Sequence, residues 1–155
     1  MQIAPVRPDD APTFTLAADQ RFIFGRPIAD RRAMPVYPAS ALEARLPPVS
    51  VCVELETDAQ GQVTAARPIR VTGACELSVG ALHAEAFQQA VHDAVMAWRY
   101  LPSLLCTGVS RSEAQDPDSC GSATAQAMPL LRAYRFVFTQ RDGEPTVGVG
   151  KVADG

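Results

Sequence analysis

Apolar positions recur at helical spacing in one part of the chain and alternate with polar ones in two others. In the stretch from Phe87 to Pro102, FQQAVHDAVMAWRYLP, the residues Phe87, Val91, Ala94, Val95 and Trp98 are spaced by three and four, the pattern of a helix with one buried stripe. The helix should begin near Leu82 and end at Leu101, because a residue before proline is pushed out of the α region and Pro102 follows. Val49, Val51, Val53 and Leu55 alternate with Ser50, Cys52, Glu54 and Glu56, which predicts a strand with one core face and one wet face. TDAQG at 57–61 reads as a turn with Gly61 free to take a positive φ, and Val63 to Val71 as the returning strand of a hairpin. Pro68 cannot donate to a ladder, so it should face outward on an edge or mark a bulge. Leu130 to Thr139, LLRAYRFVFT, is the strongest strand, with Tyr134, Phe136 and Phe138 on one face and Ala133, Arg135 and Val137 on the other. It is expected to pack on the helix.

The remaining segments carry weaker signals. Pro5, Pro8 and Pro12 with Asp9 and Asp10 mark residues 1–12 as an extended leader. Thr13 to Leu16 and Arg21 to Phe24 are β-prone and predict a small hairpin, in which Phe14, Phe22, Ile23 and Phe24 cover the sheet or meet another protein. MPVYPA is held extended by its prolines, and Ser40 is expected to cap a short helix, ALEARL, that stops at Pro47. Thr72 to Gly80 reads as a loop. From Ser103 to Ala127 the chain has almost no large apolar residue and no period, which predicts a surface excursion. RDGE at 141–144 reads as a turn, and Pro145 to Gly155 as a trailing segment with a short strand, TVGVGKV.

Hairpin, helix, excursion and strand together predict an α+β domain in which one long helix covers one face of a small antiparallel sheet. At 155 residues and 47% apolar, the chain fits a single domain with a core. A net charge of -3 without any run of Lys or Arg excludes a nucleic-acid surface or a polybasic membrane contact. No window approaches the roughly 20 apolar residues of a membrane span. MQIAPVRPDDAP lacks the apolar core of a signal peptide, so the chain as written reads as neither anchored nor exported.

Cys52, Cys75, Cys106 and Cys120 make an even number, which favours two disulfides in an oxidising compartment and implies a mature or truncated form whose export or anchor segment has been removed. A Cys106–Cys120 bridge would offset part of the closing entropy of the excursion and would leave Cys52 with Cys75. Four cysteines permit three connectivities, and sequence alone does not choose among them.

The cysteine spacing never gives CxxC, and His83 and His92 lie on opposite sides of the helix, so no metal site is expected. Glu54 and Glu56 share the wet face of a strand without a base, nucleophile or phosphate loop beside them. No Gly-x-Ser-x-Gly, His-Glu-x-x-His or glycine-rich phosphate loop occurs, and the expectation is a protein that is not an enzyme and takes no cofactor.

YPASALEARL, the alternating strand with DAQGQV, the FQQAVHDAVMAWRYLP helix and the closing aromatic strand, in that order, resemble the C-terminal domain of TonB energy transducers. In that family a YP-containing segment leads into a strand, a turn ending in Gly-x-Val follows, and the helix finishes with Trp-Arg-Phe/Tyr-x-Pro before the last strand. The resemblance covers about residues 36–140, and its most specific part is the Trp98, Arg99, Tyr100, Leu101, Pro102 ending. It divides the chain into a leader at 1–35, a TonB-like domain at 36–145 with a cysteine-stapled insertion at 103–127, and a tail at 146–155.

The resemblance implies a periplasmic domain, anchored or secreted before processing, that captures the TonB box of an outer-membrane transporter and supports energy-coupled nutrient or siderophore uptake. Capture is by strand addition, and the corresponding strand is Arg132, Ala133, Tyr134, Arg135, Phe136, Val137, Phe138 and Thr139, with Tyr37 and Pro38 nearby. Coupling to an inner-membrane proton-driven complex would need an N-terminal region that this sequence does not contain, and a homodimer is left open. Read from the residues themselves, Trp98 and Tyr37 are core anchors and Arg99 satisfies carbonyls at the helix end. The rival reading keeps the fold as a stand-alone envelope scaffold, with the stapled excursion or the Phe-rich N-terminal hairpin as its interface.

Overall fold

The computed structural model describes residues 15–69, 75, 81–109 and 117–151. Strand β2 (Val49–Thr57) turns Val49, Val51, Val53 and Leu55 inward, each almost fully buried, as its alternation predicts. In the turn that follows, Asp58 Oδ1 accepts from the N–H groups of Gln60 and Gln62, both at 2.9 Å, and Gly61 sits at φ 85°. The chain returns as β3 (Val63–Ile69), antiparallel to β2, with exposed Pro68 on this edge strand.

Strand β6 (Leu130–Arg141) pairs with the other side of β2, from Val49 opposite Phe138 to Thr57 opposite Leu130. Helix α2 (Ala81–Val95) lays Phe87, Val91 and Val95 over the inner face, where Phe87 meets Phe138 edge-on at 4.9 Å. The molecule is thus an α+β domain with a helix over an antiparallel sheet.

The short strand expected in the trailing segment, TVGVGKV, forms and belongs to this sheet. Asp142 and Gly143 both take positive φ, 52° and 82°, which suits a two-residue hairpin turn, and β7 (Glu144–Lys151) folds back onto β6. Strand order is β3-β2-β6-β7.

The helix stops well before the proline that was expected to end it. The N–H groups of Ala97 and Trp98 bond the carbonyls three residues back, of Ala94 and Val95, so the last turn tightens and the chain leaves as an extended segment. That segment is wanted elsewhere. Tyr100 N–H donates to Gly61 (2.9 Å) on one side. On the other, Arg99 N–H donates to Arg31 (3.2 Å), Leu101 N–H donates to Arg26 (2.9 Å), and the Arg99 carbonyl accepts from Ile28 (2.9 Å). Backbone approaches so closely that a Cβ at Gly61 would overlap the Tyr100 carbonyl and one at Gly25 the Leu101 carbonyl. Arg99, Tyr100 and Leu101 are therefore laced into both halves of the molecule.

Past Pro102 the supposed excursion is ordered at both ends. β4 (Ser103–Thr107) lies between β1 (Gln20–Ile23) and β5 (Thr124–Met128) in a second antiparallel sheet of order β1-β4-β5. Ile23 is buried with the Cys106–Cys120 disulfide, and Leu104, Val109 and Ala123 pack against them. The second disulfide joins Cys52 on the outward face of β2 to Cys75, with Ile69 and Ala133 against it.

Two smaller expectations change as well. The Arg21 to Phe24 strand pairs with β4 rather than with Thr13 to Leu16: Thr15 and Leu16 are outside any strand, while Thr13, Phe14 and the 1–12 leader fall outside the described residues. Ser40 does not cap. α1 is Ala39–Leu42, started by Pro38, whose carbonyl accepts from Ala41 and Leu42, and it ends in a turn where Arg45 takes φ 51°.

Candidate site: sheet edges and an arginine–tyrosine cluster

Strand addition needs a row of unpaired backbone groups, and β6 does not offer one along most of its length. From Tyr134 to Phe138 every residue of β6 is paired with β2 on one side and β7 on the other, and Thr139 is paired with Thr146. Arg132 and Ala133 pair with Leu55 and Glu54 of β2. Of the expected edge, Tyr134, Arg135, Phe136, Val137 and Phe138 are therefore interior, because the Asp142–Gly143 turn brings β7 down on them, while Arg132 and Ala133 lie outside the β7 pairing and Thr139 outside the β2 pairing. Tyr37 lies in the core, its ring edge-on to Phe87 at 5.3 Å and its hydroxyl 2.9 Å from the Gln140 amide. Pro38 starts α1.

The outer strands of the large sheet are β3 and β7. β3 carries Pro68, and next to it Gln62 is bridged to Arg99. β7 is barer: Val147 and Val149 pack on the core, while a Cβ on Gly148 or Gly150 would meet nothing within 4 Å. Glu144 and Pro145 at its start resemble the devices that usually protect an edge.

The Trp-Arg-Tyr-x-Pro segment holds the molecule's second distinctive feature. Trp98 is fully buried, and its Nε1–H donates to the Ala33 carbonyl at 2.7 Å, which fixes the Arg32–Ala33 backbone against the indole. Arg99 Nη1 donates to the Trp98 carbonyl at 2.9 Å, and Pro102 is exposed. The Arg32 guanidinium lies 4.9 Å from the Trp98 ring and 6.0 Å from that of Tyr134. Arg132 comes from the opposite wall, 4.2 Å from the Tyr100 ring, and its Nη2 donates to Ser103 Oγ at 3.2 Å. Ser103 Oγ in turn accepts from the Gly25 N–H at 3.0 Å, tying the cluster to the second sheet.

Between the arginines, the Tyr100 hydroxyl donates to that of Tyr134 at 3.1 Å. Burial pushes the Tyr100 phenol far above its ordinary range, Tyr134 adds to the rise, and Arg132 and Arg32 pull it back. The phenol stays protonated. Burial also lowers the Arg132 guanidinium from its ordinary value, against the opposing pull of Tyr134 and Tyr100.

Sequence reasoning found the Trp98 motif but missed this cluster. The available signal was parity: Arg132 shares the inward face of β6 with Leu130, Tyr134, Phe136 and Phe138, so period two placed a cation on the core side of the strand. Arg32 sits in the polar ADRRA run and gives no such sign.

Among the described residues, no group of three or more His, Cys, Asp or Glu could hold a metal, and no helix is long and apolar enough to cross a membrane. Fold and sites define a disulfide-bonded α+β domain with two antiparallel sheets, and the disulfides fit an oxidising, extracytoplasmic compartment. No family model, no curated protein and no solved structure matches the chain.

Proposed function

We propose that this protein is a non-enzymatic periplasmic domain, TonB-like in its motif order, that binds an extended peptide by strand addition on the outer side of β7. The observation that carries the proposal is the state of that edge. No described strand pairs with the outer side of Glu144–Lys151, so its backbone groups on that side are left for an incoming chain, and the sheet face above Gly148 and Gly150 is open. The hairpin β2–β3, helix α2 and closing strand β6 supply the order in which the family resemblance was read. The partner in this reading is the TonB box of an outer-membrane transporter, and the role is support of energy-coupled uptake.

Titration of the labelled protein with a TonB-box peptide, read by backbone amide shifts, should move Thr146 to Gly150 first and most. No shift at millimolar peptide would end the proposal.

A stand-alone envelope scaffold is favoured by a different surface. Phe24 is 47% exposed and stands edge-on to Phe22 at 4.9 Å beside β1, an apolar pair suited to a protein partner. Shifts confined to Gln20–Phe24 during binding of any envelope partner would select that reading.

A further inference from the structure

The two arginines of the Trp98–Tyr100 cluster have a charge that the described structure does not answer. Arg32 has cation–π contacts with Trp98 and Tyr134 but no hydrogen bond or ion pair with a described residue. Arg132 donates to Ser103 and stacks on Tyr100, again with no carboxylate within ion-pair distance among the described residues. The Nε–H of each is shut away from water without a partner. By contrast, the more exposed Arg26 and Arg67 pair with Asp118, and with Glu54 and Glu56. A half-buried guanidinium without a counter-charge is costly, and two in one cluster repel each other, so the arrangement calls for an anion.

We infer that Arg32 and Arg132 form an oxyanion-binding subsite that takes a carboxylate or phosphate group of a ligand. The chemistry fits. Trp98 and Tyr100 hold the two guanidinium groups against their rings, and the Nη–H groups that Ser103 does not take remain to donate to the oxygens of an anion. Tyr134 Oη, which accepts from Tyr100, keeps its own hydroxyl hydrogen to donate. The subsite is anchored rather than flexible, because Trp98 Nε1 holds Ala33 and Ser103 Oγ holds both Arg132 and Gly25. Its two arginines lie outside the β6–β7 ladder, which runs from Tyr134–Lys151 to Arg141–Glu144.

The test is titration of the full-length protein with inorganic phosphate and, separately, with glutarate, each against sodium chloride at matched ionic strength. The readout is the side-chain Nε–H signals of Arg32 and Arg132, which are observable because these groups are buried. Saturable shifts of both signals, with affinity falling about tenfold in Arg32→Gln while the backbone spectrum stays native, are the expected result. Saturation by phosphate alone identifies a phosphate-bearing ligand, and saturation by glutarate identifies a carboxylate. Shifts no different from those in chloride, or equal affinity in Arg32→Gln, would overturn the subsite and leave a purely structural pair. Arg132→Lys, which keeps the charge but loses the fork, should also weaken binding. If that variant misfolds, the wild-type Nε–H titration alone still decides.

Discussion

In the four-stranded sheet Val51 and Leu55 of β2 and Phe136 and Phe138 of β6 lie buried under Phe87, Val91 and Val95 of α2. In the three-stranded sheet the buried apolar residues gathered with its disulfide are Ile23, Cys106 and Cys120, with Leu104, Val109 and Ala123 only partly covered. The same backbone geometry is thus stabilised in two ways. The large sheet has enough apolar area to hold itself together by burial, whereas the small one relies on a covalent loop closure and on its splice to the segment after the helix. Small sheets with little core need such a staple, and the difference predicts where each can be broken.

Trp98→Ala should do the most damage, because the indole belongs to the large core and its neighbouring backbone ties in the small sheet. We expect a loss of roughly 3–5 kcal/mol in global stability by denaturant unfolding, as for other large aromatic truncations. A smaller and more local effect is expected from replacing Cys106 and Cys120 with Ser. Bridges of this kind typically contribute about 2–4 kcal/mol. Hydrogen exchange should quicken across β1, β4 and β5 while the amides of β2 and β6 keep their protection. Equal loss in both sheets would show that they unfold as one unit. Least is expected from Arg26→Ala, which removes the surface pair with Asp118 that links the two ends of the small-sheet region; exposed pairs contribute up to about 1 kcal/mol, so the melting curve should barely move.

The contrast also explains what could be read from the chain itself. β2 and β6 announce themselves through alternation because burial on one face is what holds them, and Asp58 to Gly61 and Asp142–Gly143 carry the turn chemistry between them. β4 and β5 do not: Leu104 and Leu105 are adjacent, TAQA is exposed throughout, and the pairing of β4 with β1 joins residues more than eighty apart. β7 is legible only as a short strand, TVGVGKV, in a trailing segment: Pro145, Gly148 and Gly150 depress its strand propensity, nothing in the sequence pairs it with β6, and β6 stays the expected edge.

The helix was right in its stripe and wrong in its end. Proline sets the last position a helix can reach, but Arg99 and Tyr100 are claimed earlier by bridges to Gln62 and Pro27. The Trp-Arg-Tyr-x-Pro motif is thus a splice between two sheets rather than a helix terminus.

The proposal that the open side of β7, rather than β6, receives an extended chain can be checked by amide hydrogen exchange of the protein with and without saturating TonB-box peptide. Amides on the outer side of Thr146–Gly150 should gain protection on binding, while those from Tyr134 to Phe138, already held in ladders on both sides, should change little. Protection gained in β1 or β5 with β7 unchanged would contradict it.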